Sequence, residues 1–231
     1  MPEPDRRAAR PPRRALLAGA SGLVGRALLS RLLQSPHYDR VLALLRRSVP
    51  DLPPQPKLDT RVVDFDRLPA LPPLDDAFIA LGTTIEAAGS QAAFRRVDFD
   101  AVVGTARAAR AAGATRLLVV SALGADAGSR LFYSRVKGEM EQAVAALGFE
   151  RVVIARPSLL LGDRAALGQP PRRGEDWAAR LLQPVARWLP RRLRPIRAED
   201  VARALLQAAL RDGPRLKVID SGAMQPDVAA D

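Results

Sequence analysis

AGASGLVGRALLSRLL, residues 18–33, places Gly19, Gly22 and Gly25 where an apolar strand ends and an amphipathic helix begins. The strand is read over Arg14–Ala18, and the helix over Leu23–Gln34, whose apolar residues recur at three- and four-residue spacing. Glycine lets the backbone turn sharply and approach a bound anion closely. The free N–H groups at a helix start add the positive end of the helix dipole. Strand, glycine turn and helix start, in that order, make a cradle for the pyrophosphate of a dinucleotide.

Outward from this loop the chain keeps a βαβ rhythm. Further strands are predicted at Val41–Leu45, Arg61–Asp64, Ala77–Leu81, Arg116–Ser121, Arg151–Ala155 and Leu216–Asp220, and further helices at Ser90–Ala112, Arg130–Leu147, Glu175–Trp188 and Ala198–Arg211. The strands are unbroken apolar runs such as VLALL and LLVV, as a parallel sheet covered by helices on both faces requires. The expected fold is therefore α/β, a doubly wound, mostly parallel sheet of about seven strands. Proline crowds the segments SVPDLPPQPKLDT and RLPALPPLDD, so one crossover is expected to be loop or a single turn in place of a helix.

Composition excludes several classes. With 231 residues, 48% hydrophobic and 26% charged, the chain has globular proportions and the size of one large α/β domain. It has no cysteine and a single His37, so no disulfide framework, thiolate nucleophile or metal site is expected. Met1–Arg14 carries five Arg, four Pro and no apolar stretch, and residues 1–13 are read as a flexible basic arm ahead of one domain over 14–231. No membrane association and a cytoplasmic location are expected. The net charge of +11 is concentrated in that arm and between Arg172 and Arg197. Nucleic-acid grooves pair such charge with stacking aromatics, which make up only 4% of this chain, so a solvated basic face is the preferred reading and nucleic acid is not the expected partner.

Cofactor choice turns on the end of the second strand. An acid there would hold the ribose hydroxyl of NAD, but the chain reads LALLRRS. Arg46 and Arg47 offer forked, charge-assisted contacts to a phosphate, so NADP is expected over NAD. Tyr133 and Lys137 lie four residues apart in LFYSRVKGEMEQ and so share a helix face. A phenol beside an ammonium is suited to passing a proton to a carbonyl oxygen, because the positive charge favours phenolate. The helix follows a strand whose end carries Ser121, and strand ends of that kind line the ligand crevice of an open parallel sheet.

GASGLVG, VVSALGAD, YSRVK and ARPSLLLG, in this order, resemble the short-chain dehydrogenase/reductase superfamily. More narrowly, they are similar to its atypical branch, which holds the Tat-interacting-protein-like oxidoreductases and small bacterial relatives. The resemblance covers about Arg14 to Asp220 and implies a single Rossmann-fold domain. It implies that Gly19, Gly22 and Gly25, with Ser21 and Leu23 beside them, cradle the pyrophosphate, and that Arg46 meets the 2'-phosphate. Asp64 and Phe65 match the position next to adenine, and Leu81, Gly82 and Thr83 the border of the adenosine ribose. Tyr133 would be the general acid/base, Lys137 would hold the nicotinamide ribose and tune Tyr133, and Ser121 would polarise the substrate carbonyl. Arg156, Pro157 and Ser158 match the segment that passes the nicotinamide ring. The chain departs from the pattern at Ala122, where many relatives have a second Ser, and at Asp98, where many have Asn.

The expected activity is hydride transfer between NADP and a small carbonyl or alcohol, by a monomer or homodimer. Two other readings share these residues: an NADP-binding sensor or assembly protein with vestigial chemistry, and a nucleotide-sugar-type epimerase. Related epimerases usually carry a larger C-terminal lobe than the 75 residues that follow Arg156 here. Leu161–Asp176 has the Gly, Pro and charge content of a loop that closes over a site.

Overall fold

The computed structural model describes residues 12–49, 55–162 and 189–226. Its seven-stranded sheet comprises β1 (Arg13–Ala18), β2 (Tyr38–Leu45), β3 (Leu58–Val62), β4 (Asp76–Ile79), β5 (Arg116–Val120), β6 (Arg151–Arg156) and β9 (Leu216–Asp220). The order is β3-β2-β1-β4-β5-β6-β9, and every pairing is parallel. Parallel pairing sends the carboxyl ends of all seven strands to one side of the molecule. The chain reverses its direction of progress between β1 and β4, the position at which such sheets open a ligand crevice.

Strand alternation divides the core into two layers. Ala15 and Leu17 of β1, Leu118 of β5 and Val153 of β6 pack with helices α1 (Leu23–Gln34) and α6 (Ala198–Leu210). Leu16 and Ala18, Leu117 and Val119, and Val152 and Ile154 face α4 (Val102–Ala111) and α5 (Phe132–Ala145). The short helices are α2 (Ile85–Ala88), α3 (Gln91–Arg95) and α7 (Ser221–Met224). Thr84 and Ser90 cap α2 and α3 by accepting the N–H groups of Ala87 and Ala93. A small parallel pair, β7 (Leu160–Leu161) with β8 (Ile196–Arg197), was not foreseen in the sequence. Among the described residues no helix is long and apolar enough to cross a membrane.

Several boundaries differ from expectation. The third strand runs over Leu58–Val62, not Arg61–Asp64, because Asp64 already forms a turn, its side chain accepting the N–H of Asp66 and its carbonyl that of Arg67. The fourth and fifth strands stop at Ile79 and Val120, two residues and one residue short of the apolar runs that suggested them. Ser90–Ala112 is not one regular helix: between α3 and α4, residues Arg96–Ala101 form a π-helical turn. Arg13, counted with the arm, is the first residue of β1. The predicted helix Glu175–Trp188 lies outside the described residues, as does nearly all of the arm and most of the Arg-rich stretch. The Pro-rich crossover from β3 to β4 contains no helix, as expected.

At the amino ends of the strands the sheet buries a charged group. Asp76 is fully buried, accepts the Tyr38 hydroxyl proton at 2.5 Å, and pairs with Arg13 at 2.8 Å and Arg116 at 3.7 Å. Burial pushes the Asp76 carboxyl above its ordinary range, and Arg13, the Tyr38 bond and Arg116 pull it back. Burial and the neighbouring carboxylate drive the Tyr38 phenol far above the usual phenol range. Removing the shared acceptor strands a guanidinium and a hydroxyl, so Asp76→Ala should lower unfolding free energy by about 3 kcal/mol. Tyr38→Phe should cost about 1 kcal/mol. Urea denaturation tests both, and an Asp76→Ala protein as stable as its parent would remove the cluster from the stability of the fold.

Candidate nucleotide and catalytic site

Two backbone approaches shape the loop between β1 and α1. Gly19 has φ +93°, and a Cβ there would lie 2.5 Å from the Ala80 carbonyl oxygen at the end of β4. A Cβ on Gly25 would lie 1.9 Å from the Gly19 carbonyl oxygen, so the first turn of α1 rests directly on the turn it leaves. Gly22, the N-cap, has only the Gly19 oxygen near its Cβ position, at 3.5 Å, and α1 starts with no side-chain cap. Its first N–H groups thus lack a side-chain cap from the N-cap residue, with Ser21 exposed before Gly22 and Leu23 opening the helix. Crowded backbone behind and uncapped donors in front fit a dinucleotide pyrophosphate.

The other expected residues stand at the same end of the sheet. Arg46 and Arg47 follow Leu45 of β2, both exposed. Asp64 is exposed just beyond β3, and Phe65 packs on the core beside it. Leu81, Gly82 and Thr83 follow β4, Ser121 follows β5, and Arg156–Ser158 end and follow β6.

Tyr133 and Lys137 lie on consecutive turns of α5. The Tyr133 ring packs against buried Phe94 of α3 at a centroid distance of 5.3 Å. Lys137 is buried, and its Nζ stands 2.7 Å from Oδ1 of the fully buried Asp98, while Oδ2 of Asp98 accepts the N–H of Thr83 at 2.8 Å. Gly82 closes over the pair, since a Cβ there would come within 3.3 Å of Oδ1 and 3.8 Å of Nζ. Ser121 is buried at the end of β5, and among the described residues its Oγ has no hydrogen-bond partner.

The loop after β5 is held from two sides. A Cβ on Gly138 of α5 would meet Ala127 N at 2.1 Å and Asp126 C at 2.2 Å, so loop and helix touch backbone to backbone. Asp126 donates its N–H to the Ser134 carbonyl, and Leu123 donates to that of Pro157. Beyond Lys137, Glu141 takes both arms of Arg156, Nε at 3.0 Å and Nη2 at 2.5 Å, and these bonds push the guanidinium still higher than usual. Ser158 is bonded to the Arg194 carbonyl and lies 2.8 Å from the Ser221 hydroxyl. The side chains of Arg156 and Ser158 are thus committed to the protein. Sequence reasoning missed Phe94 and Glu141; the latter was detectable as the third member of the i, i+4 row Tyr133, Lys137, Glu141.

The chain matches the model of the NAD(P)H-binding family over residues 19–212. It is 41% identical to protein fmp52, mitochondrial, of Emericella nidulans over 157 residues, covering 64% of this chain and 67% of the relative. The FMP52 protein of Lodderomyces elongisporus is 32% identical over 208 residues, or 85% of this chain and 86% of the relative. Rat protein HTATIP2 is 38% identical over 169 residues, or 71% and 67%. Among solved structures, an oxidoreductase of the short-chain dehydrogenase/reductase family from Burkholderia thailandensis superposes with TM-score 0.67 and 21% identity, covering 92% of this chain and 93% of that one. MoeE5 in complex with UDP-glucuronic acid and NAD gives TM-score 0.66 at 21% identity, covering 89% and 75%. These two likenesses speak for the fold. The fungal relatives are named as mitochondrial proteins, and this overturns the cytoplasmic location expected from the sequence.

The two loop glycines differ from Gly22 in a testable way. Gly25→Ala forces backbone apart and should abolish measurable dinucleotide binding or destabilise the fold by about 2 kcal/mol or more. Gly22→Ala meets only ordinary contact and should keep its stability within about 1 kcal/mol of the parent. Thermal denaturation and nucleotide titration of both variants check this; equal effects would contradict the loop geometry.

Proposed function

The chain belongs to the NAD(P)H-binding family, as an atypical short-chain dehydrogenase/reductase, and from that premise we propose that it is an NADP-dependent oxidoreductase acting on a small carbonyl or alcohol. The observation that carries the reading is the grouping, at one sheet end, of an unpartnered Ser121 hydroxyl with Tyr133 and Lys137 on consecutive turns of α5. A buried hydroxyl without a partner costs stability, which is what a site awaiting a substrate oxygen looks like.

Gly19, Ser21, Gly22, Leu23 and Gly25 hold the pyrophosphate, and Arg46 and Arg47 take the 2'-phosphate. Asp64 and Phe65 border the adenine, and Leu81, Gly82 and Thr83 the adenosine ribose. The backbone of Arg156–Ser158 passes the nicotinamide. When bound, the nicotinamide supplies or accepts the hydride. Tyr133 gives its hydroxyl proton to the carbonyl oxygen as negative charge gathers there, and takes it back in the reverse direction. Ser121 donates a second hydrogen bond to the same oxygen and fixes the carbonyl in place. An ammonium has three donors, so Lys137 keeps others for a ribose hydroxyl while one side faces Asp98.

Tyr133→Phe should bind NADPH as the parent does and lose about a hundredfold or more in turnover across a carbonyl panel. Unchanged turnover would remove Tyr133 from the reaction. Arg46→Glu should weaken NADPH at least about tenfold more than NADH, by calorimetric titration, because it places a carboxylate opposite the 2'-phosphate. Equal weakening of both would assign Arg46 no part in cofactor choice.

A further inference from the structure

The acid/base reading of Tyr133 leaves Asp98 without a task, yet the structure spends a local distortion on it. Asp98 sits on the π-helical turn Arg96–Ala101, where the widened backbone breaks the helix between α3 and α4. Its carboxylate is fully buried and anchored at both oxygens, Oδ2 by the Thr83 N–H and Oδ1 by Lys137. Gly82 leaves only enough room for this arrangement, with no side chain between the pair and the strand end.

We propose that Asp98 is a positioning residue that sets the ionisation of Tyr133: it holds Lys137 in place and cancels most of that ammonium's pull on the phenol proton. The inference rests on Tyr133 as the proton donor of the proposed reaction. An amide at position 98 would leave Lys137 as a bare positive charge one helical turn from the phenol. A carboxylate makes the two groups a dipole, whose influence on a third group falls off faster with distance. The Lys137–Asp98 pair is buried, so the difference is felt strongly.

Among the described residues, the other charged side chains near Tyr133 and Lys137 are engaged with one another or with backbone. From α3 and α5, Arg95 and Glu139 pair with each other at 2.5 Å, and Arg135 stands 3.9 Å from Glu139. From α5 and β6, Glu141 and Arg156 close their own two-point pair. From the loop after β5, Asp126 turns its carboxylate to the Gly128 N–H. A phenol that keeps its proton is a donor, so the arrangement poises the site for carbonyl reduction more than for alcohol oxidation.

The chain has only two tyrosines, and burial beside Asp76 keeps Tyr38 protonated far beyond the ordinary phenol range. Phenolate absorbance of the full chain, followed against pH with Tyr133→Phe as baseline, therefore reports Tyr133 alone. Asp98→Asn preserves an acceptor for Thr83 and removes the charge, and its titration midpoint should fall by about half a pH unit or more. Lys137→Met should move the midpoint the other way, and decides the matter if circular dichroism shows that Asp98→Asn does not fold. Midpoints that coincide with the parent's, or an upward shift for Asp98→Asn, would overturn the proposal. NADPH titration of the parent stands apart from this readout: failure to bind would defeat the oxidoreductase reading and leave the Tyr133 titration to be judged independently.

Discussion

The contact between Gly25 and the Gly19 carbonyl governs how the rest of the molecule is arranged. With no Cβ at either position, α1 starts against the very turn that ends β1, and Gly19 in turn lies against Ala80 at the end of β4. The helix axis is thereby fixed over the sheet at its switch point, and Val24, Leu28, Leu29 and Leu32 are aimed into the core layer shared with α6. The same closeness leaves the helix start uncapped on its outer side. A methyl group at either glycine would separate strand from helix and lose packing and anion cradle together, which is why stability and nucleotide binding cannot be tuned separately there.

On the other face of the sheet, α5 carries a row of polar groups into a largely apolar layer. Tyr133, Lys137 and Glu141 follow at four-residue spacing, and the surroundings answer each in a different way. Phe94 packs on the phenol ring, Asp98 meets the ammonium, and Arg156 grips Glu141 at two points. Buried ions tolerate such a place only when partnered, and a partnered ion is held still. The row is thus held at Lys137 and Glu141 by ion pairs, with Tyr133 the member nearest the helix start. Gly138, flush against the loop at Asp126 and Ala127, ties the end of β5 to the same helix.

The fold was legible because its elements announce themselves locally. Glycines at a strand–helix junction, apolar runs in the central strands and helical periodicity in α1 and α6 follow from short-range sterics and burial, and each appeared within three residues of its predicted place, the start of β2 at Tyr38 being the furthest from its predicted start at Val41. The edge strand β3 was misplaced because Asp59, Thr60 and Arg61 face solvent and carry no apolar signal, whereas Val63, which does, already leads into a turn. The π turn at Arg96–Ala101 lay beyond sequence reading altogether: its residues suit an ordinary helix, and what widens the turn is tertiary. Tyr133, Lys137 and Ser121 were singled out by spacing and position. That Lys137 has a carboxylate partner depended on a residue 39 positions earlier in the chain, reached only through the folded crossover.

Two buried carboxylates mark the two ends of the sheet, and their surroundings differ in kind. Asp76, at the amino ends, is met by a hydroxyl and by two guanidinium groups, which never release their protons at accessible pH. Every group in that cluster is committed to another, and the strands on both sides hold it rigid. Asp98, at the carboxyl ends, is met by one backbone amide and one ammonium, a group that can both share its donors and exchange its proton. A charge pair of the first kind can only hold strands together. A pair of the second kind, set beside a phenol and an unpartnered hydroxyl, can answer to what binds there, and the parallel direction of all seven strands places it next to the glycine cradle.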